Sequence, residues 1–70
     1  MDESMVMFSI SQLKIMTAQH VLKEAGIQSF VIDKMDSAHA GIFGDIELYV
    51  AKENQVEAKL VLIENEIITL

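Results

Sequence analysis

Three residues that can ligate a metal, Asp33, Asp36 and His39, stand three apart as D-x-x-D-x-x-H. Carboxylate and imidazole are hard and borderline donors, so the spacing suits a cation, but it suits three solvated loop residues as well. No metal and no cofactor is expected. The stretch HAGIFGD (39–45) overlaps this cluster and holds two of the three glycines, one of the two histidines and one of the three phenylalanines. Its Gly41-Ile42-Phe43-Gly44 matches the G-x-x-G form with which KH domains clamp a nucleic-acid backbone. That clamp joins two helices and is helped by basic side chains, whereas this one leads toward a strand and is followed by Asp45. His39, Gly41, Ile42, Phe43 and Gly44 are therefore the ligand-binding candidates, for a small ligand or a protein. In the other reading Ile42 and Phe43 fold back as a hydrophobic plug over the sheet edge.

Catalysis needs a nucleophile beside a base, or a poised acid pair. The chain has no cysteine, and Ser4, Ser9, Ser11, Ser29 and Ser37 lie in no nucleophile-elbow or histidine context. Asp45 and Glu47 share one side of an alternating segment, which points to a solubilising face rather than an acid–base pair. No enzymatic activity is expected.

The formal charge of −6, with five lysines, no arginine and eleven acids, disfavours nucleic acid, which requires a basic face. It also removes any site built on an arginine fork. The longest apolar runs, such as Leu60–Ile63, fall far short of the ~20 residues a bilayer span requires. The start, MDESMVMF, carries acids where a signal peptide carries positive charge. A cytoplasmic protein without membrane or nucleic-acid partners is the expectation. A chain of 70 residues forms one domain that hides only about 60% of its unfolded surface. With no disulfide to supplement the core, a second copy of the chain could do so.

The elements that would position these residues can be read from periodicity. After a disordered leader over residues 1–5, Val6–Ile10 (VMFSI) reads as a strand, and Ser9 or Ser11 caps the helix after it. Over Ser11–Ala25 the residues Ile15, Ala18, Val21, Leu22 and Ala25 fall within about 120° of one helical face, and Gly26 stands where a helix end wants a left-handed residue. Ile27–Asp33 (IQSFVID) reads as a strand apolar enough to be covered. Lys34–Gly44 reads as a loop of unusual length, and Asp45–Ala51 (DIELYVA) as a half-buried strand with Ile46, Leu48 and Val50 inward. A last helix runs from Glu53 to about Asn65 with Val56, Leu60, Ile63 and Ile67 as its core stripe. Ile67–Leu70 is either the helix end or a short fourth strand. The order β-α-β-β-α predicts a single α+β domain over 1–70: a two-layer α/β sandwich built as a ferredoxin-like split β-α-β, an antiparallel sheet with both helices on one face.

Each helix carries more apolar residues than one face uses. Leu13, Met16 and His20 on the first, and Ala58, Val61 and Leu62 on the second, are the interface candidates, for a homodimer or another protein.

VLKEAGIQSFVID (21–33), after MFSIS (7–11) and with DIELYVAKENQVEAKLVLIE (45–64), resembles the prokaryotic signal-transducing proteins, a family of small bacterial domains of unknown function. LKEAGI (22–27) and LYVAKENQVEA (48–58) carry most of the likeness, which spans Val6 to about Ile67. The resemblance implies a ferredoxin-like or PII-like α+β plan with a variable, often glycine-containing loop between the second and third strands, here Lys34–Gly44. It also implies a signalling role, and it brings no catalytic residues. The expected function is a non-enzymatic binding or regulatory module acting through loop 34–45 and the exposed helix faces. The alternative is a purely structural dimerisation module with no ligand of its own.

Overall fold

The computed structural model of the chain describes residues 2–34 and 45–69. Strand β1 (Glu3–Ser9) leads into helix α1 (Gln12–Glu24), then β2 (Ser29–Asp33) and β3 (Ile46–Ala51). A 3-10 turn (Lys52–Asn54) opens helix α2 (Gln55–Glu64). The strands form one antiparallel sheet in the order β1-β3-β2. β1 and β2 thus run parallel with β3 between them, as a split β-α-β unit requires, and the α+β plan is consistent with the ferredoxin-like arrangement.

Register explains which side chains are buried, because directly opposed residues in an antiparallel pair share a face. On β3, Ile46, Leu48 and Val50 are almost wholly covered, while Glu47 and Tyr49 lie on the other side and are half-buried. Ile15, Ala18 and Leu22 of α1 and Ala58 and Leu62 of α2 join the same core as the three β3 residues, so both helices cover one face, and among the described residues no helix covers the other, the open face. Among the described residues no polar or charged side chain is buried.

β1 departs from its expected form in two ways. It begins at Glu3, with Glu3, Ser4 and Met5 paired to Ala51, Val50 and Tyr49, so residues 3–5 belong to the sheet rather than to a leader. It also carries a bulge between Met5 and Met7. The extra residue breaks the alternation, so that Val6 and Met7 are both buried and Phe8 turns out to the open face, 59% exposed.

Helix α1 forms where its periodicity placed it. Ser11 is the N-cap, its Oγ accepting from Lys14 N–H at 3.2 Å, while Ser9 Oγ accepts from Ser11 N–H at 3.0 Å. At the other end Gly26 has φ +81°. Ile27 N–H donates to Leu22 O at 2.8 Å and Gly26 N–H to Lys23 O at 2.9 Å, a Schellman ending in which Ile27 drops into the core. α2 ends the same way: Ile67 N–H donates to Leu62 O at 2.9 Å and Glu66 N–H to Ile63 O at 3.0 Å, and Ile67 is buried. The segments LKEAGI and LIENEI are thus two versions of one stop. In the second a glutamate, Glu66 at φ 59°, occupies the left-handed position. Ile67–Thr69 is accordingly neither helix nor strand, and Leu70 lies outside the described residues.

Two expectations about coverage are overturned. The core face of α2 is formed by Ala58 and Leu62, with Val61 packed against it, whereas Val56 and Leu60 are 72% and 55% exposed. α2 is apolar nearly all round, so its period could not choose a face. Ala58, small enough to bring the helix backbone close to its neighbours, decided what Val56 and Leu60 were expected to decide. β2 is not covered either: Phe30, Val31 and Ile32 are 41%, 39% and 47% exposed.

Candidate functional site

Asp36, His39, Gly41, Ile42, Phe43 and Gly44 lie outside the described residues. The ends of their loop are described and lie together, since Lys34 N–H donates to Asp45 O at 2.9 Å. The β2–β3 ladder therefore continues one pair beyond Asp33–Ile46. Asp33, the first residue of the D-x-x-D-x-x-H cluster, is exposed on β2. Among the described residues, no group of three or more His, Cys, Asp or Glu is placed to hold a metal.

One polar cluster sits on the open face of the sheet. Tyr49 Oη donates to Glu47 Oε1 at 2.7 Å, and Lys34 Nζ stands 3.3 Å from Glu47 Oε2. Strand alternation puts Glu47 and Tyr49 on one side, and the β2–β3 pairing brings in Lys34. The Tyr49 hydrogen bond, with the Lys34 hydrogen bond and charge, holds the Glu47 carboxyl below its ordinary value of 4.5 against a smaller opposing effect of desolvation. The same hydrogen bond, then desolvation and the charges of Glu47 and Glu3, raise the Tyr49 phenol above 10. A carboxylate with both oxygens occupied and lowered basicity is a poor general base, and a phenol held protonated is a poor nucleophile. The cluster neutralises a charge in the middle of the sheet. Glu47, with its side chain 16% exposed, is therefore a held carboxylate and not the solvated one expected.

The interface candidates separate. Leu13 and Met16 are 74% and 60% exposed on α1, and His20 is exposed with its Nε2 3.5 Å from Glu24 Oε2. On α2 the expectation fails, because Ala58 and Leu62 are fully buried and Val61 is half-buried. A side chain inside the core offers nothing to a partner, and the exposed apolar residues of α2 are Val56 and Leu60.

A second apolar surface went unforeseen. Register places Met5 and Phe8 of β1 and Phe30 and Ile32 of β2 on the open face around Glu47 and Tyr49, and these four are 39–59% exposed. The sequence signal for it was the apolarity of β2, which had suggested burial. Beside the start of β2 an open groove runs between α1 and the strand, walled by Met16, Gln19, His20, Lys23 and Ser29. There Gln19 Nε2 donates to Ser29 Oγ at 3.3 Å. No helix among the described residues is long and apolar enough to cross a membrane.

No family model, curated protein or solved structure matches the chain.

Proposed function

We propose that the chain is a non-enzymatic binding module whose work is done by apolar surface, with the outer side of the helices as the face that recognises another protein. The observation that carries this is the exposure of Leu13, Met16, Val56 and Leu60 on two short helices of a 70-residue chain. Large side chains exposed in such density contribute nothing to the core, and patches of this kind mark contact sites. A cytoplasmic regulatory role of the bacterial signal-transducing kind fits the resemblance of LKEAGI and LYVAKENQVEA. Any contribution from loop 34–45 would add to the helical face.

The test compares the chain with a Leu13→Asp/Leu60→Asp variant as bait at matched concentration. Both positions are exposed, so the variant should keep its far-UV spectrum and melting temperature. A protein retained by the first bait and lost with the second supports the reading, and identical retained sets defeat it. The second reading, a dimerisation module with no other ligand, is favoured by the apolar open face of the sheet, and the same pair of baits separates the two.

A further inference from the structure

β2 is an edge strand with apolar side chains uncovered on both faces, since Phe30 and Ile32 point to the open side and Val31 to the helix side. Its outer edge has no strand partner among the described residues. Of the devices that protect natural edges it carries one charge, Asp33 at its end: within SFVID there is no proline or lysine, and its register runs without a bulge. β1, the other edge, is bulged, and Ile67 and Ile68 line a groove beside it.

One hydrogen bond fixes which backbone groups of β2 point outward. Lys34 N–H donates to Asp45 O, and in an antiparallel ladder the residues bonded to a given neighbour alternate. Phe30 and Ile32 thus turn their N–H and C=O toward β3, while Ser29, Val31 and Asp33 turn theirs away from it.

We infer that two copies of the chain associate through this edge, β2 against β2 and antiparallel, about a two-fold axis at Val31. This register overlaps all five residues while matching outward groups to outward groups. Val31 meets Val31, and Ser29 meets Asp33 of the second copy, in pairs that exchange about six backbone hydrogen bonds. Phe30 meets Ile32 of the second copy on the open side, twice by symmetry. Two three-stranded sheets become one continuous sheet.

Charge selects a second copy as the occupant. A chain of net charge −6 resists meeting itself unless its carboxylates are kept apart. In this register the only carboxylate of the strand, Asp33, comes opposite Ser29. Asp33 lies on the helix side, and the groove at the Ser29 end is walled by His20 and Lys23. Asp33 of each copy therefore arrives beside Lys23 of the other, where the imidazole of His20 is already turned to Glu24 at 3.5 Å, and a carboxylate accepts from more than one donor whatever it meets in its own chain. Met16, in the same groove wall, adds apolar contact. Covering these side chains and the strand edge removes on the order of 400–500 Å² from each copy, about 800–1,000 Å² in all, which is the size of weak, transient contacts rather than of stable interfaces. The dimer is therefore reversible and depends on concentration.

The experiment is sedimentation of the full chain across a concentration series, with three variants. The chain should pass from monomer to dimer as concentration rises. Val31→Lys, which puts a charge against its own symmetry mate, should raise the midpoint concentration roughly tenfold or more with an unchanged far-UV spectrum. Val31→Cys, the only thiol in a cysteine-free chain, should give a disulfide-linked dimer under mild oxidation, because paired strands place the two Cα atoms within disulfide reach. Leu13→Asp should leave the midpoint where it was, so loss of the helical binding face and loss of this interface are read separately. A wild-type monomer at every concentration would overturn the inference. So would a dimer that folded Val31→Lys leaves intact, or one that Leu13→Asp dissolves.

Discussion

Glu47 is where single-residue physics is most exposed to measurement. Its carboxyl is held below 4.5 by the Tyr49 hydroxyl first and by Lys34 second. A lowered carboxyl adds stability that is present above its unfolded value and is lost as pH falls through its folded one. Denaturant unfolding of the wild type and of Glu47→Gln should therefore differ at neutral pH and converge as pH drops from about 4.5 through the lower folded value. In Tyr49→Phe, an NMR titration should find the Glu47 carboxyl moved back up toward 4.5, since its largest cause is gone, and an unmoved titration would show that Lys34 alone holds it. The raised Tyr49 phenol works in the opposite range: the stability it adds is complete below pH 10 and disappears as pH rises through its folded value. Alternation alone placed Glu47 and Tyr49 on one side of a strand. Lys34 could not be found that way, because only pairing of β2 with β3 brings it there.

Elements were legible to the degree that their apolar residues were confined to one face. α1, with Ile15, Ala18 and Leu22 on one face and Leu13 and Met16 set apart on the other, was readable down to its Ser11 cap and its Gly26 stop. α2 was not, because Val56, Leu60 and Ile63 outweigh Ala58 and Leu62 in any count of apolar bulk, and close approach rather than bulk settled the face. Leu62→Ala should accordingly lose about 2–5 kcal/mol in denaturant unfolding, and Leu60→Ala within about 0.5 kcal/mol of nothing. Equal losses would restore the stripe expected from the period. The two helix stops give a paired prediction. Gly26→Ala forces a side chain into a left-handed conformation and should lose about 1 kcal/mol, even though nothing lies within 4 Å of the added methyl. Glu66→Gly relieves the same penalty and should gain up to about 1 kcal/mol. The bulge in β1 had no signature in VMFSI, since Val6, Met7 and Phe8 are all acceptable on either face.

At the scale of the molecule, the order of elements was enough for the α+β plan, because a helix between two parallel strands and a third strand that pairs with both leave few topologies open. Exposure was harder to foresee. An apolar segment such as SFVID reads as buried, and the structure instead leaves it, among the described residues, at the edge of the sheet. Loop 34–45, the segment with the densest chemical signal, lies almost wholly outside the described residues. The sheet order has one more consequence, in time rather than in space. Among the described residues β1 and β2 are not ladder partners of each other; each pairs with β3. During synthesis, then, the first half of the chain can wind α1 but can close no sheet, and Val6 and Met7 wait uncovered until Ile46–Ala51 has emerged. β3 is the keystone of an arch whose sides are made first, and contacts between residues so far apart in the chain set a slow, all-or-none closure.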